Sequence, residues 1–552
     1  MDKLDYADQR CLVVEDRRPF LTLLKGLLVS LGAKKIDTEL SADLALKACK
    51  KVSYDIIVCD LHLGNDRKNG FEFLEEIRKH NYISPSAVFI MISGDSARSM
   101  VLGSLEKQPD DYLIKPFSQA QLNSRITRAK NRRLTLSSLY SLIEHKKYEL
   151  SIETCKHFLD VGTKYTAQCI QILVQLYWLT KQYDKAEEVL QRQLNERQIQ
   201  WALSAMARTQ LLKENYIDAI DLAKQAIEPS RNDVESYDVL AEAYLKNDMP
   251  DEALKYIKDA LSLSPLSIER HYTVCKIARV NKDYETAMHS SQAIFELSQR
   301  SVHRNVNHMC SYIRSILDAA EYADNKKDSN RLKQDAMHTL KKVRVEAKES
   351  IVQKGFDFDI FEKLVEARLA FLDNQPSDSK KALEQAQIKI EQQFSQFPIS
   401  LAAESLKSML DLGDFEDAMK VRTAIQDQNI ELDSNIQNSM QNAFMKVSTQ
   451  QKEYITYNKQ GIAKFSEGQY QSAYTSFSEA KKIAPMNIGV TLNLLQSIVK
   501  LLEMTDNPEK ALQQECKEYY RYINSMPLRK IHCQKFENMR LDIEKVMSSP
   551  VV

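Results

Sequence analysis

Glycine is scarce in this 552-residue chain: there are 12, and six of them (Gly26, Gly32, Gly64, Gly70, Gly94 and Gly103) fall within the first 103 residues. So few glycines beyond that point predict few tight turns, which suits long helices joined by short connections. The nine cysteines are scattered, odd in number and never spaced as Cys-x-x-Cys. That argues against zinc sites and a disulfide framework, and fits a reducing compartment. No run of about 18 apolar residues occurs, so no membrane span is expected. The opening MDKLDYADQR is too acidic and polar for a signal peptide. The expected location is therefore cytoplasmic. An excess of basic charge is missing too: Lys plus Arg and Asp plus Glu stand at 76 each. A general nucleic-acid binder usually carries such an excess, so that class is disfavoured.

What is present divides near residue 130. Before it, short apolar runs alternate with amphipathic stretches. Cys11–Val14, Ile56–Cys59, Val88–Ile92 and Tyr112–Ile114 read as strands buried on both faces, with Lys35–Leu40 as a weaker fifth. Pro19–Leu31, Ala42–Val52, Gly70–His80, Ala97–Lys107 and Gln119–Arg133 carry helical spacing between them. This alternation predicts a doubly wound α/β domain around a five-stranded parallel sheet. In such sheets functional groups collect at the carboxyl ends of the strands. Glu15 and Asp16 follow the first predicted strand, Asp60 the third, Ser93 the fourth and Lys115 the fifth. Three acids, a hydroxyl and a lysine would then share one rim. Clustered carboxylates repel, and a magnesium ion with its preference for oxygen ligands relieves that repulsion. An aspartate beside a metal, a lysine and a hydroxyl suits receipt of a phosphoryl group.

The ordered set VVED, VCDLHL, MISG and LIKPF, within residues 8–133, resembles the response-regulator receiver family. The resemblance implies that Asp60 is the phosphoacceptor, and that Glu15, Asp16 and Asp60 hold Mg2+ together with the main-chain carbonyl of His62. It also implies that Ser93 and Lys115 contact the phosphoryl oxygens, that Tyr112 is the switch aromatic, and that the bond to Pro116 is cis. His62 and Asp95 fall at positions that tune dephosphorylation in that family. Two departures stand out. The loop Asp60–Gly70 lacks the family's usual Met-Pro pair and is about two residues longer, and Glu15 stands where many members have Asp.

Beyond residue 130 a repeat emerges. Tyr183-Asp-Lys-Ala186, Tyr216-Ile-Asp-Ala219, Met249-Pro-Asp-Glu-Ala253 and Tyr284-Glu-Thr-Ala287 place successive alanines 33, 34 and 34 residues apart, with Tyr148–Ser151 as a degenerate first copy. This period and pattern resemble the tetratricopeptide repeat, a helix–turn–helix unit. Gly461, Gly468, Tyr470, Ala473, Phe477, Ala480 and Pro485 fit the same pattern. Gly413–Ala418 marks another copy and Asn507–Ala511 a last one. Between about 300 and 395 the beat is lost. Leu332–Ile351 and Phe358–Phe371 keep amphipathic spacing, Lys380–Phe394 resembles an imperfect repeat helix, and Asp324–Asp328 is read as a polar break. The expected organisation is a receiver at 1–130, a repeat array at 131–300, an irregular helical segment at 301–395 and repeat-like helices at 396–552, the whole of the latter part an all-α solenoid.

Such solenoids present extended binding surfaces and generally carry no catalytic groups. No HExxH, Walker-type loop or GxSxG occurs here. The basic stretch Arg125, Arg128, Lys130, Arg132 and Arg133 reads as the solvated face of the receiver's last helix. The resulting expectation is a response regulator that takes a phosphoryl group on Asp60 from a histidine kinase, a phosphotransfer protein or a small phosphodonor. It would signal through a protein ligand of the repeats, with homodimerisation as one output. The alternative is a constitutive scaffold whose receiver only docks. Apart from self-dephosphorylation no enzymatic activity is expected: haloacid-dehalogenase-type phosphatases need a second Asp two residues after the nucleophile, and here that residue is His62.

Overall fold

The computed structural model describes residues 4–64, 68–94, 109–196, 199–347, 355–430, 432–504 and 510–548. They form two compact units, Met1–Asn305 and Val306–Val552.

In the first unit, five strands pair in parallel in the order β2-β1-β3-β4-β5: β1 Arg10–Val14, β2 Lys35–Glu39, β3 Ile56–Asp60, β4 Val88–Ser93 and β5 Asp111–Ile114. Although the central strands are apolar throughout, alternate residues serve opposite faces, as the pleat requires. Leu12, Val14, Ile57, Cys59, Phe89 and Met91 pack towards helices α2 (Ala42–Lys51) and α3 (Gly70–Lys79). Cys11, Val13, Ile56, Val58, Ile90 and Ile92 pack towards α1 (Arg18–Ser30) and α4 (Gln119–Thr135). Ser41, Asn69 and Ser118 cap α2, α3 and α4, the last two in full capping boxes. The predicted helix Ala97–Lys107 and Asp95 lie outside the described residues.

Helix α4 passes to α5 (Ser137–Glu144) through the single buried residue Leu136. Nine further helices follow and with α5 make five packed pairs: α6 Tyr148–Val161, α7 Thr166–Leu179, α8 Tyr183–Glu196, α9 Gln200–Leu212, α10 Tyr216–Ile227, α11 Val234–Lys246, α12 Pro250–Leu263, α13 Ile268–Val280 and α14 Tyr284–Ser298. Ala186, Ala219, Ala253 and Ala287 are all at most 1% exposed, so each small side chain does sit at a close helix crossing. The far end of this array returns to the sheet domain: Leu266 packs on the α2–α3 side of its core, and Lys79 Nζ donates to the Val302 carbonyl at 3.1 Å.

The scarcity of glycine does not limit the turns, contrary to expectation. Lys146, Lys181, Glu214, Asp248 and Lys282 adopt left-handed backbone conformations, each two residues before the start of a helix. The following amide closes a six-residue ring, as in Gln182 N to Tyr177 O at 2.8 Å and Asn215 N to Gln210 O at 2.9 Å. These are Schellman turns that end one helix and start the next. They satisfy the last carbonyls with hydrogen bonds that outweigh a left-handed non-glycine residue, which costs about 1–2 kcal/mol.

The second unit contains α15 Val306–Glu321, α16 Lys326–Ala347, α17 Phe358–Leu372, α18 Pro376–Gln393, α19 Ile399–Asp411, α20 Phe415–Gln426, α21 Ser434–Lys446, α22 Ser448–Ser466, α23 Tyr470–Ile483, α24 Ile488–Glu503, α25 Lys510–Asn524 and α26 Lys530–Ser548. The polar stretch Asp324–Asp328 does break the helical run: α15 ends at Glu321 and α16 starts at Lys326, with Asn325 Oδ1 accepting from Asp328 N at 2.9 Å. Two of the repeat glycines mark close approaches: a Cβ on Gly461 would lie 2.5 Å from the Phe477 ring, and one on Gly413 2.7 Å from Ala484 Cβ. Where the repeat beat is lost, charge replaces small residues in the core. Glu404 is fully buried between Arg314, 2.7 Å away, and Arg368, 3.5 Å away. Residues 507–509 of the expected last copy, and the end of Leu332–Ile351, lie outside the described residues.

Candidate functional site

The rim follows from strand register. Val14 pairs with Glu39 and Cys59, and Asp60 with Ile92, so β1 and β3 end together and place Glu15 beside Asp60. Lys115 N bonds to Ser93 O at 2.8 Å, which carries the β5 pairing one residue past the strand. The carboxylates of Glu15, Asp16 and Asp60 converge to within 4.8 Å of one another. Lys115 Nζ reaches across the sheet to Asp60 Oδ2 and Glu15 Oε2, both at 2.8 Å. One ammonium thus serves two buried acids. The other Asp60 oxygen, Oδ1, is buried without a hydrogen-bond partner among the described residues.

Electrostatics at this rim favour a further cation. Burial pushes the Glu15 carboxyl up to about 7; the hydrogen bond from Lys115 opposes this and the charge of Asp60 adds to it. An orphaned buried carboxylate oxygen within an all-oxygen acidic cluster is a donor set that fits a hard divalent cation.

Two contacts shape the site that the motifs alone do not reveal. The Lys115 ammonium sits 4.1 Å from the centre of the Phe20 ring, which stacks edge-on with Phe117. Gly70, at the start of α3, presses on the end of β3: a Cβ there would lie 2.6 Å from the Asp60 carbonyl oxygen and 2.8 Å from the Met91 sulfur. The glycine ending the long loop was visible in the sequence, but its contact with Asp60 was not.

The other candidate residues are placed as follows. Ser93 is fully buried at the end of β4, beside the Asp60 strand. Tyr112 is half-buried on β5 and packs against the α2–α3 side of the core. The His62 side chain is exposed. The Lys115–Pro116 bond is cis, as the resemblance implies. Residues 65–67 of the long loop lie outside the described residues. The basic stretch of α4 is not simply a solvated face. Arg125 and Arg128 both bond to Asp111, Arg133 bonds to Asp110, and Lys130 is buried beside Asp55.

Comparison with known proteins agrees with this geometry. Residues 11–127 match the response regulator receiver domain, and residues 234–265 match the tetratricopeptide repeat. The chain is 33% identical over 119 residues to the transcriptional regulatory protein BasR of Escherichia coli, covering 21% of this chain and 50% of that protein. It is 32% identical over 119 residues to the alkaline phosphatase synthesis transcriptional regulatory protein PhoP of Bacillus subtilis, covering 22% and 47%. The chain thus spans about half the length of these curated relatives. A solved structure, the BeF3-activated DrrB receiver domain, is 26% identical, with 22% of this chain and 96% of that one covered at a TM-score of 0.20. Among the described residues no helix is long and apolar enough to cross a membrane. The N-terminal part of this chain is a response regulator receiver domain, and tetratricopeptide-type helices follow it.

Proposed function

We propose that this chain is a two-component response regulator that accepts a phosphoryl group on Asp60 and signals through protein contacts of its helical repeats. The observation that carries this reading is the asymmetry of the Asp60 carboxylate: Oδ2 is held by Lys115, while Oδ1 has no partner among the described residues. An Asp60 oxygen forms the new bond to phosphorus as the phosphorus–nitrogen bond of a donor phosphohistidine breaks. The electron pair returns to the imidazole, which keeps it or takes a proton from solvent. With acetyl phosphate the broken bond is phosphorus–oxygen, and acetate leaves. Glu15, Asp16, Asp60 and the His62 carbonyl would hold Mg2+, which when bound neutralises charge on the phosphoryl oxygens.

Lys115 then shifts its hydrogen bonding towards a phosphoryl oxygen, and the Ser93 hydroxyl donates to another. Tyr112, on the strand leading to Lys115, is the switch aromatic that passes the change to the surface. In support of a protein-binding output, α4 joins the repeats through one residue, and helical repeats are binding scaffolds.

Incubation with acetyl phosphate and magnesium, read by intact mass, tests the acceptor. Wild type gains one phosphoryl group and Asp60→Asn gains none; equal gain in both proteins rejects Asp60.

A further inference from the structure

Only two of the contacts that hold the Lys115 ammonium are with acids. Nζ donates to Asp60 Oδ2 and Glu15 Oε2, both at 2.8 Å, and lies 4.1 Å from the centre of the Phe20 ring. An ammonium has three donors, so with two committed to carboxylates the third is left to the π face. Phe20 is half-buried in the first turn of α1, a short way past Glu15. Its backbone N–H donates to Arg17 O at 3.0 Å, and its ring packs on the α1–α4 side of the core. Phe117, just beyond Lys115, meets that ring edge-on, with centroids 6.2 Å apart and planes at 90°. The aromatic pair therefore joins the segment after β1, which carries rim acids, to the segment after β5, which carries the lysine.

The physical chemistry of lysine gives this ring a task. Its stem is long and flexible, and ordering it costs side-chain entropy. The Lys115 side chain is 18% exposed, whereas that of Glu15 is fully buried and that of Asp60 nearly so. Held by its acids alone, the ammonium is free to turn towards solvent once a phosphoryl group changes the charge on Asp60. A hydroxyl or carboxylate at position 20 would hold it, but would also compete with the phosphoryl oxygens for its protons. A ring face attracts the charge without accepting a strongly directed hydrogen bond. The ammonium then stays over the rim and can still pivot from Asp60 to an incoming oxygen.

We infer that Phe20 is a positioning residue of the phosphorylation site, its ring face holding the Lys115 ammonium over Asp60 where the phosphoryl group arrives. This deepens the function proposed above and rests on it for the chemical step. Phe20 acts through Lys115 alone. A packing role would make it a space-filler beside Phe117, and the two roles differ in their dependence on the ring's electrons rather than on its size.

The test places mono-, di- and trifluorinated phenylalanine at position 20 of the full chain, because fluorine withdraws charge from the ring face with little change of shape. The initial rate of labelling by acetyl phosphate and magnesium, read by intact mass, should fall stepwise with each fluorine. With three fluorines the loss should be roughly threefold to tenfold. Phe20→Leu should lose at least as much, and Phe20→Tyr, which keeps the ring face, should recover most of it. Rates indifferent to fluorine would overturn the assignment in favour of packing. A second readout needs no phosphoryl transfer. The ε-methylene protons of Lys115, assigned by their loss in Lys115→Arg, should resonate upfield of free lysine, since a ring current shields protons above its face. They should return towards the free position in Phe20→Leu; an unshifted wild-type signal also overturns the assignment. Equal labelling of wild type and Asp60→Asn, with a Lys115 signal that is shifted and answers to Phe20, removes Asp60 as acceptor and leaves the lysine–ring hold standing. Labelling confined to Asp60 at a rate blind to fluorine gives the reverse.

Discussion

Gly70 and Asp60 are in contact through their backbones: the Cα of Gly70 lies so close that a methyl group on it would sit 2.6 Å from the Asp60 carbonyl oxygen. Gly70 N also donates to Leu61 O at 2.9 Å, which ties the start of α3 to the end of β3. The chain just before α3 is therefore pinned against the end of β3.

Gly70→Ala should cost about 1–3 kcal/mol of stability, the usual penalty of overpacking, because one colliding atom is backbone and cannot rotate away. It should also lower labelling of Asp60 by acetyl phosphate. Chemical denaturation and intact mass on the same sample check both effects. Unchanged labelling would show that the loop relaxes without moving Asp60.

Glu404 is the buried carboxylate that Arg314 and Arg368 share in the second unit. Its removal as Glu404→Leu leaves the fully buried Arg314 and the fully buried Arg368 without their shared carboxylate. An unpaired buried charge costs about 3–5 kcal/mol. Arg368 keeps Asp318 and Glu321, so Arg314 should bear most of the loss. Hydrogen exchange of α15 and α19 should speed up in the variant while exchange of the first unit stays the same.

Glu214 is exposed and left-handed, with φ 65°. Glu214→Gly should therefore raise the stability of the first unit by about 0.5–1 kcal/mol, the relief of left-handed strain less the added freedom of the unfolded chain. Glu214→Ala keeps the strain and should give no gain. Thermal melts of the three proteins check the order.

His532 gives the second unit an acid-sensitive step. Burial, reinforced by the nearby Arg529 and Lys380 and opposed by Glu384 and Asp417, lowers its imidazole from 6.5 to about 4. The unfolded chain then binds the proton at a higher pH than the folded one. Its contribution is fully present above about pH 6.5 and is lost as the pH falls towards 4, by up to about 1.4 kcal/mol per pH unit. In His532→Gln this part of the slope should vanish. Urea melts of both proteins at pH 7, 5.5 and 4 would show a difference that changes with pH; a constant difference rejects the assignment.

The strands, the rim acids and the repeat period were legible because each depends on local pattern. A parallel strand buried on both faces shows as a short apolar run, and the polar residue it delivers to the rim follows directly. The alanines at 186, 219, 253 and 287 were legible for a similar reason, since helix crossings recur at the length of the repeat. The turn conformations were misread, because a Schellman turn depends on hydrogen bonds around the helix end rather than on glycine alone. The polar run at 324–328 was legible as a break between helices, and its Asn325 also caps the helix that follows.

By itself the sequence determined the receiver sheet, the identity of its five rim residues and the helical repeats, since side-chain alternation and periodicity are properties of neighbouring residues. Only the tertiary structure decided that one lysine would serve both Glu15 and Asp60, that Gly70 would press on the end of β3, and that the Phe20 ring would face Lys115. Each of these joins residues far apart in the chain, and their meeting is set by how helices pack on a sheet and on one another, which no local pattern records.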